Sequence, residues 1–302
     1  MTGPEVRGPE VTGPEARGPE VDLRVDPLSG REVVVVARRQ TRPNLPAAGC
    51  PFCVGGLEAP DPYEVRSFAN RWPPLGPGRA EVVLYTSDHD ATFAALGRAG
   101  ARRVVDLWAA RTLDLGAEAD VAYVLVFENR GPEVGATIAH PHGQIYAFST
   151  VPDVPRIELG ADGPCHLCSA DPGDRSVADA GGWRAWVPEA ADWPYALVLA
   201  PAAHVTDLPS LDDPGRDGMA DVLCDALGRL DRLFDAPMPY MLWIHQRPTD
   251  GGPWPTSHLH VHVAPLLRAP GVPRFVAAGE LGSGTSFNPV DPVASAAALR
   301  AT

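Results

Sequence analysis

No stretch of this 302-residue chain approaches the roughly 20 apolar residues a membrane-spanning helix needs. No charged-then-apolar leader opens it either. Basic charge is scarce: 25 Lys and Arg against 38 Asp and Glu leave a formal net charge of −13. That balance argues against a nucleic-acid partner, which would favour a basic face. A small anionic substrate stays compatible, because a few local arginines can reverse the field inside a cleft. Cysteine is sparse too, five in all, too few for a disulfide scaffold at this length. These absences predict a soluble, cytoplasmic protein with no membrane partner. The chain is also long enough to bury a large core.

The first twenty residues, "MTGPEVRGPEVTGPEARGPE", are two near-copies of one decapeptide without a hydrophobic face. They predict a disordered tail over 1–21.

Four of the five cysteines form two C-x-x-C pairs, Cys50/Cys53 and Cys165/Cys168, which in a reducing compartment suggest metal or redox sites. The fifth, Cys224, falls in an amphipathic helical pattern and reads as a buried thiol. Around the pairs the chain repeats itself. Cys50 to His89 is 39 residues, as is Cys165 to His204; His89 to His140 is 51, and His204 to His258 is 54. An apolar run precedes each spaced histidine, "AEVVLYT" or "YALVLA", and suits a strand. Helical stretches follow, Ala91–Gly116 and Leu211–Asp235, then a second strand, "VAYVLVFEN" or "YMLWIHQ", then a histidine-rich segment. The pattern predicts an α+β fold of two duplicated units, each a mainly antiparallel sheet with a packed helix. The halves divide as 22–153 and 154–302, at a Pro- and Asp-rich linker.

Two cysteines and two histidines suit tetrahedral zinc with every position filled. The first set is Cys50, Cys53, His89 and His140; the second is Cys165, Cys168, His204 and His258. A competing second site, Glu158 with His245, His260 and His262, suits iron or zinc, and the sequence leaves that choice open.

In "ATIAHPHGQIYAF" two histidines flank a proline. If a metal holds His140, the fixed φ of Pro141 positions His142 as well. A neutral imidazole is both a competent nucleophile and a good leaving group. Phosphorus is its natural target, since phosphoryl transfer needs positioning and donors more than acid–base chemistry. Gln144, next on that face, can donate to a phosphoryl oxygen but cannot activate water, which favours transfer over hydrolysis.

"VFENRGPEVGATIAHPHGQIYA" resembles the active-site signature of the galactose-1-phosphate uridylyltransferases, a branch of the histidine-triad superfamily, and "HLHVHVAP" resembles the triad itself. "VDPLSGREVVVVARRQTRPN", "FANRWPPL" and "PLLRAPGVPRFVAAGE" extend the likeness over nearly the whole chain after the tail. The resemblance implies two histidine-triad-like halves and a ping-pong exchange of a nucleoside monophosphate between a nucleotide sugar and a sugar phosphate. It implies His142 as the nucleophile and Gln144 as the group that steadies the intermediate. Cys50, Cys53, His89 and His140 match the family's zinc ligands. Arg39, Arg42, Phe68, Asn70, Asn129 and Thr137 match nucleotide and phosphate contacts. Arg274, Phe275 and Glu280 match hexose-phosphate contacts, often supplied by the other subunit of a homodimer. Glu158, His245, His260 and His262 match the iron site of some members; the Cys165 set resembles a second zinc site in a related ADP-glucose phosphorylase-like branch. Gly279 replaces a family tyrosine, and "GELGSGTSFNPV" looks more like that branch. The alternative is therefore a nucleoside-diphosphate-sugar phosphorylase, or a pathway transferase with another sugar phosphate.

Overall fold

The apolar runs become strands, and their burial patterns show what covers them. In the computed structural model, residues 22–36 and 49–302 are described; the repeat over 1–21, Arg39 and Arg42 lie outside the described residues. In chain order the strands are β1 (Asp22–Val25), β2 (Glu32–Val35), β3 (Arg66–Ala69), β4 (Ala80–Leu84), β5 (Tyr123–Arg130), β6 (His142–Phe148), β7 (Ser176–Ala180), β8 (Trp183–Trp186), β9 (Leu197–Pro201), β10 (Tyr240–His245) and β11 (His260–Pro265). Helices α1 (Gly97–Gly116), α2 (Asp153–Leu159) and α3 (Asp213–Arg232) lie between them.

β1 and β2 form a separate hairpin, and the other nine strands build one antiparallel sheet in the order β3-β4-β6-β5-β10-β11-β9-β8-β7. The expected duplication is visible in that order. Outward from the β5–β10 seam, β5, β6, β4 and β3 mirror β10, β11, β9 and β8. The α+β fold of two like halves is therefore the observed one. The histidine-rich segment of each half is itself a strand, β6 or β11, and β3 and the β7–β8 hairpin extend the edges.

Period-two alternation sorts β6 cleanly. Gly143, Ile145 and Ala147 are buried, whereas His142, Gln144, Tyr146 and Phe148 are half-buried on the opposite face. The buried side meets the helices: Val83, Tyr85, Val124, Val126 and Ile145 cluster with Val104, Val105 and Trp108 of α1, and Leu242, Ile244, Val261 and Val263 with Met219, Leu223 and Leu227 of α3. On the other face, Phe52, Ala59, Val82 and Leu84 form a small cluster beside Cys50, and Trp186, Val198 and Ala200 one beside Leu167. β9 is buried at every position because both its faces are covered.

The first helix starts later than its periodicity predicts. Ala94–Leu96 is a 3-10 turn, and Gly97, at φ +63°, separates it from the regular helix. The second helix is closer to expectation. Asp212 accepts from the Gly215 N–H at 2.8 Å, and Pro214 sits in its first turn.

Helix α3 approaches the β7–β8 turn without side chains between them. A Cβ on Gly218 would lie 2.1 Å from the Gly181 carbonyl oxygen, while the Trp183 indole donates to Gly215 O at 2.8 Å. Gly218→Ala should therefore destabilise the chain by about 1–3 kcal/mol through overpacking, read as a lower denaturant midpoint. A midpoint equal to wild type would show that the hairpin can yield.

Candidate active site and metal centres

The C-x-x-C turn of the first half is held tight by Gly56, whose missing Cβ would fall 2.6–2.8 Å from the carbonyls of Cys50, Pro51 and Cys53. That turn aims both sulfurs at two histidines from distant segments. Cys53 Sγ is 3.5 Å from His89 Nδ1 and 3.7 Å from His140 Nδ1, and all four ligand atoms lie within 4.8 Å of one another. Zinc–sulfur and zinc–nitrogen bonds in a tetrahedron put S and N about 3.5 Å apart, so the set fits a zinc-sized ion. His140 is fully buried, and its Nε2–H reaches the Thr86 carbonyl at 2.7 Å, which leaves Nδ1 as the lone-pair nitrogen facing the sulfurs. Burial also lowers its pKa, keeping the ring neutral.

Tyr63 belongs to this site, and sequence reasoning missed it. Its hydroxyl donates to Phe52 O at 2.6 Å and stands 2.9 Å from His140 Nε2. Burial, then the neighbouring Cys53 and Cys50, push it up to about 12. A lone tyrosine thirteen residues from a cysteine gives no sequence signal.

The second half repeats the arrangement. Cys165 Sγ is 3.3 Å from His258 Nδ1, Cys168 Sγ is 3.2 Å from His204 Nδ1, and His258 Nε2–H reaches Pro201 O at 3.0 Å. Burial takes His258 down to about 4. The competing set is also assembled, beside this one rather than in place of it. Glu158 Oε2, from α2, lies 2.7 Å from His245 Nδ1 and 3.0 Å from both His260 Nε2 and His262 Nε2. Burial alone would raise that carboxyl, but these three histidines outweigh it and hold it well below the usual range. The structure thus keeps both sets: His260 and His262 share a face of β11, while His258 precedes the strand and turns to the cysteines.

Between these centres, on the face away from the helices, lie His142 and Gln144. His142 Nδ1–H donates to the His140 carbonyl at 2.7 Å, so Nε2 carries the lone pair. The Phe52 ring meets the His142 ring edge-on at 5.1 Å, and Phe68 packs on Phe52 at 5.8 Å. Asn70 Nδ2 donates to Gln144 Oε1 at 3.4 Å. The β5–β6 register sets Phe127 opposite Gln144, and its continuation brings Asn129 level with His142 on the same face. Thr137 is half-buried in the loop leading to His140. His142, Gln144, Phe68, Asn70 and Asn129 are therefore gathered around one stretch of sheet, an imidazole among amides.

The sugar-end residues are arranged differently. Arg274 and Glu280 are buried and paired with each other, the guanidinium stacks 4.4 Å from the Trp193 ring, and Glu280 accepts from the Ala277 and Phe287 N–H groups at 2.9 and 3.0 Å. Phe275 stands 76% exposed.

A duplicated antiparallel sheet carrying a histidine between paired amides defines a class, the two-half histidine-triad-like fold. The comparisons narrow it. The family profile described as galactose-1-phosphate uridyl transferase, N-terminal domain, matches residues 74–152, and its C-terminal counterpart matches 169–284. The galactose-1-phosphate uridylyltransferase of Thermotoga maritima is 34% identical over 313 residues, covering 93% of this chain and 98% of that relative. A solved uridylyltransferase superposes with TM-score 0.84 at 30% identity, covering 92% of this chain and 97% of its own. An ADP-glucose phosphorylase from Arabidopsis thaliana shares the fold, with TM-score 0.74 at 24% identity over 94% of this chain and 99% of its own. The chain belongs to the galactose-1-phosphate uridylyltransferase family.

Cys50→Ser should lower bound metal by one equivalent per chain and lower the melting temperature together, because filling such a site contributes folding free energy. Elemental analysis beside a thermal melt checks this; unchanged metal content would remove Cys50 from the ligand set.

Proposed function

We propose that the chain is a uridylyltransferase that exchanges UMP between a UDP-sugar and a hexose 1-phosphate through His142. The observation that carries this reading is the hydrogen bond from His142 Nδ1–H to the His140 carbonyl, which orients the ring and makes Nε2 the nitrogen that would attack. Nε2 attacks the α-phosphorus of the nucleotide sugar, forming an N–P bond while the P–O bond to the departing hexose 1-phosphate breaks. A second hexose 1-phosphate then attacks the same phosphorus, and the electron pair returns to Nε2. Asn70 holds the Gln144 oxygen, which turns the amide nitrogen toward a phosphoryl oxygen. Gln144 has no proton to give a leaving group and cannot deprotonate water, so the nucleotidyl group waits for an acceptor that is already ionised, a phosphate. Phe68 and Asn70 flank the nucleotide in this reading, and Asn129 and Thr137 the phosphates; Arg39 and Arg42, phosphate contacts by the family resemblance, lie outside the described residues.

Zinc is the ion proposed for the Cys50 and Cys165 sets, with iron or zinc at the Glu158 set; bound there, it supplies rigidity, tying each C-x-x-C turn to the sheet. The halves divide as 22–153 and 154–302. A homodimer is supported by apolar side chains left in solvent: Leu23, Val25, Leu28 and Val33 of the first hairpin, and Phe275, Leu281 and Phe287 near the C-terminus. In that assembly the exposed Phe275 reaches the sugar phosphate of the partner's site, and the buried Arg274–Glu280 pair holds its segment in place for that contact. Free paired thiols suit a reducing, cytoplasmic setting. Among the described residues no helix is long and apolar enough to cross a membrane. The phosphorylase alternative has less support, since the relatives of higher identity carry the uridylyltransferase name.

Incubation with UDP-glucose and ADP-glucose separately, followed by intact-mass measurement, tests the reading. One uridylyl group should add from UDP-glucose, acid-labile as a phosphoramidate. The chain has no lysine, which narrows the carriers of such an adduct to histidine, arginine and the terminal amine. His142→Gly should abolish the adduct and reduce turnover by more than a thousandfold. Retained sugar exchange in that variant would refute the nucleophile.

A further inference from the structure

The helix-facing side of β6 has a gap beneath the catalytic segment. Gly143, between His142 and Gln144, carries no side chain, and a Cβ there would stand 2.1 Å from the Tyr85 hydroxyl and 3.0 Å from Phe127 O. The strand register explains what fills the gap. Val83 of β4 pairs with Gly143, so Tyr85 follows on the same face, and continuing the β5–β6 register sets Glu128 opposite Gly143 from the other side. A carboxyl therefore lies directly beneath the peptide that joins nucleophile to amide. It is 4% exposed.

That carboxyl is surrounded from every neighbouring element. From β10, the Tyr240 hydroxyl donates to Glu128 Oε1 at 2.9 Å. From β4 comes the Tyr85 hydroxyl, which together with Glu128 Oε2 is buried without a hydrogen-bond partner. On its own strand, Arg130 lies 5.5 Å from the Tyr240 ring centroid and pairs with Asp231 of α3 at 2.6 Å. From α1, the uncharged Trp108 packs on Tyr85 at 5.7 Å. Arg130 and Asp231 largely cancel, so the charge of this pocket is set by Glu128. Burial pushes its carboxyl up from 4.5 to about 7, against the pull of Tyr240, Arg130 and Tyr85.

We propose that Glu128 is a positioning residue of the transfer reaction, one whose ionised carboxylate, acting through the sheet, stabilises the positive charge that develops on the His142 ring. The inference rests on the transfer reading above. When Nε2 bonds to phosphorus while Nδ1 keeps its proton, the ring becomes an imidazolium. The His140 carbonyl meets that charge at Nδ1. Glu128 meets it from the opposite face of the same sheet. At an effective dielectric near 20, a full charge about 10 Å away is worth roughly tenfold in a rate or equilibrium. Glu128 touches no substrate from the helix side, so it acts on the chemical step and leaves substrate binding unchanged.

The test compares wild type with Glu128→Gln, which keeps the shape and stays neutral. At a fixed ratio of UDP-glucose to glucose 1-phosphate, the fraction of trapped adduct and kcat should rise 3- to 10-fold more in wild type than in the variant between pH 6 and 8.5. KM for the nucleotide sugar should agree within about twofold. Identical pH courses in the two proteins would overturn the proposal. Ionisation itself has a readout independent of activity. In the window from 4.5 to about 7 the unfolded chain releases the proton that the folded chain retains, so folded wild type loses stability as pH rises. Its melting temperature should fall relative to Glu128→Gln across that window and then run parallel. Should Glu128→Gln fail to fold, Tyr240→Phe removes a hydrogen bond that favours the ionised form; the wild-type limb should then shift to higher pH, and an unmoved limb would overturn the proposal. A wild type that forms no adduct at all would overturn the transfer reading instead, and this inference with it.

Discussion

The hydrogen bond from the Nδ1–H of His142 to the carbonyl of His140 ties the orientation of one ring to the anchoring of the other. One residue of the pair turns its ring to the cysteines; the other borrows its backbone oxygen to settle a tautomer. Everything that anchors His140, the Thr86 carbonyl and Tyr63 hydroxyl included, therefore also anchors Nε2 of His142. Pro141 between them removes one backbone freedom, and the ladder of β6 removes the next. Little motion remains for the His142 ring, which suits the proposed transfer, where alignment matters more than acid–base work.

The second half contains the same bond. His260 Nδ1–H donates to the His258 carbonyl at 2.7 Å, and the register of β10 with β11 places His245 opposite His260 where β5 places Asn129 level with His142. Position by position, His260 stands for His142, His262 for Gln144 and His245 for Asn129. The difference lies in Glu158, whose single oxygen faces all three imidazoles. With histidines at the Asn129 and Gln144 positions and a carboxylate facing them, the second half gathers a donor set that could hold an ion where the first half places amides. The same scaffold thus presents two different sets of side chains through three substitutions and one short helix.

Much of this was legible in the sequence because it is local or periodic. The 39-residue spacing marked the duplicated metal sets, and the alternation of "HGQIYAF" separated reactive from buried residues. Pairing across the chain was not legible, since no local pattern says that β5 should lie beside β10. The β7–β8 hairpin did have a signal, the Gly181–Gly182 turn with both φ positive, between apolar stretches. Helix α1 was extended six residues too far because periodicity continues through the 3-10 turn, and only the left-handed Gly97 breaks it. Arg274 and Glu280 illustrate a further limit: motif matching locates residues, but their mutual burial against Trp193 is a product of packing.

The β5–β10 seam carries one more implication. Backbone ladder bonds run from Tyr240–Arg130 to Ile244–Val126, so one continuous sheet spans the two halves. Parting them would leave β5 and β10 as bare strand edges with unpaired N–H and C=O groups. The seam therefore costs backbone hydrogen bonds wherever it opens, and neither half carries a complete sheet edge of its own.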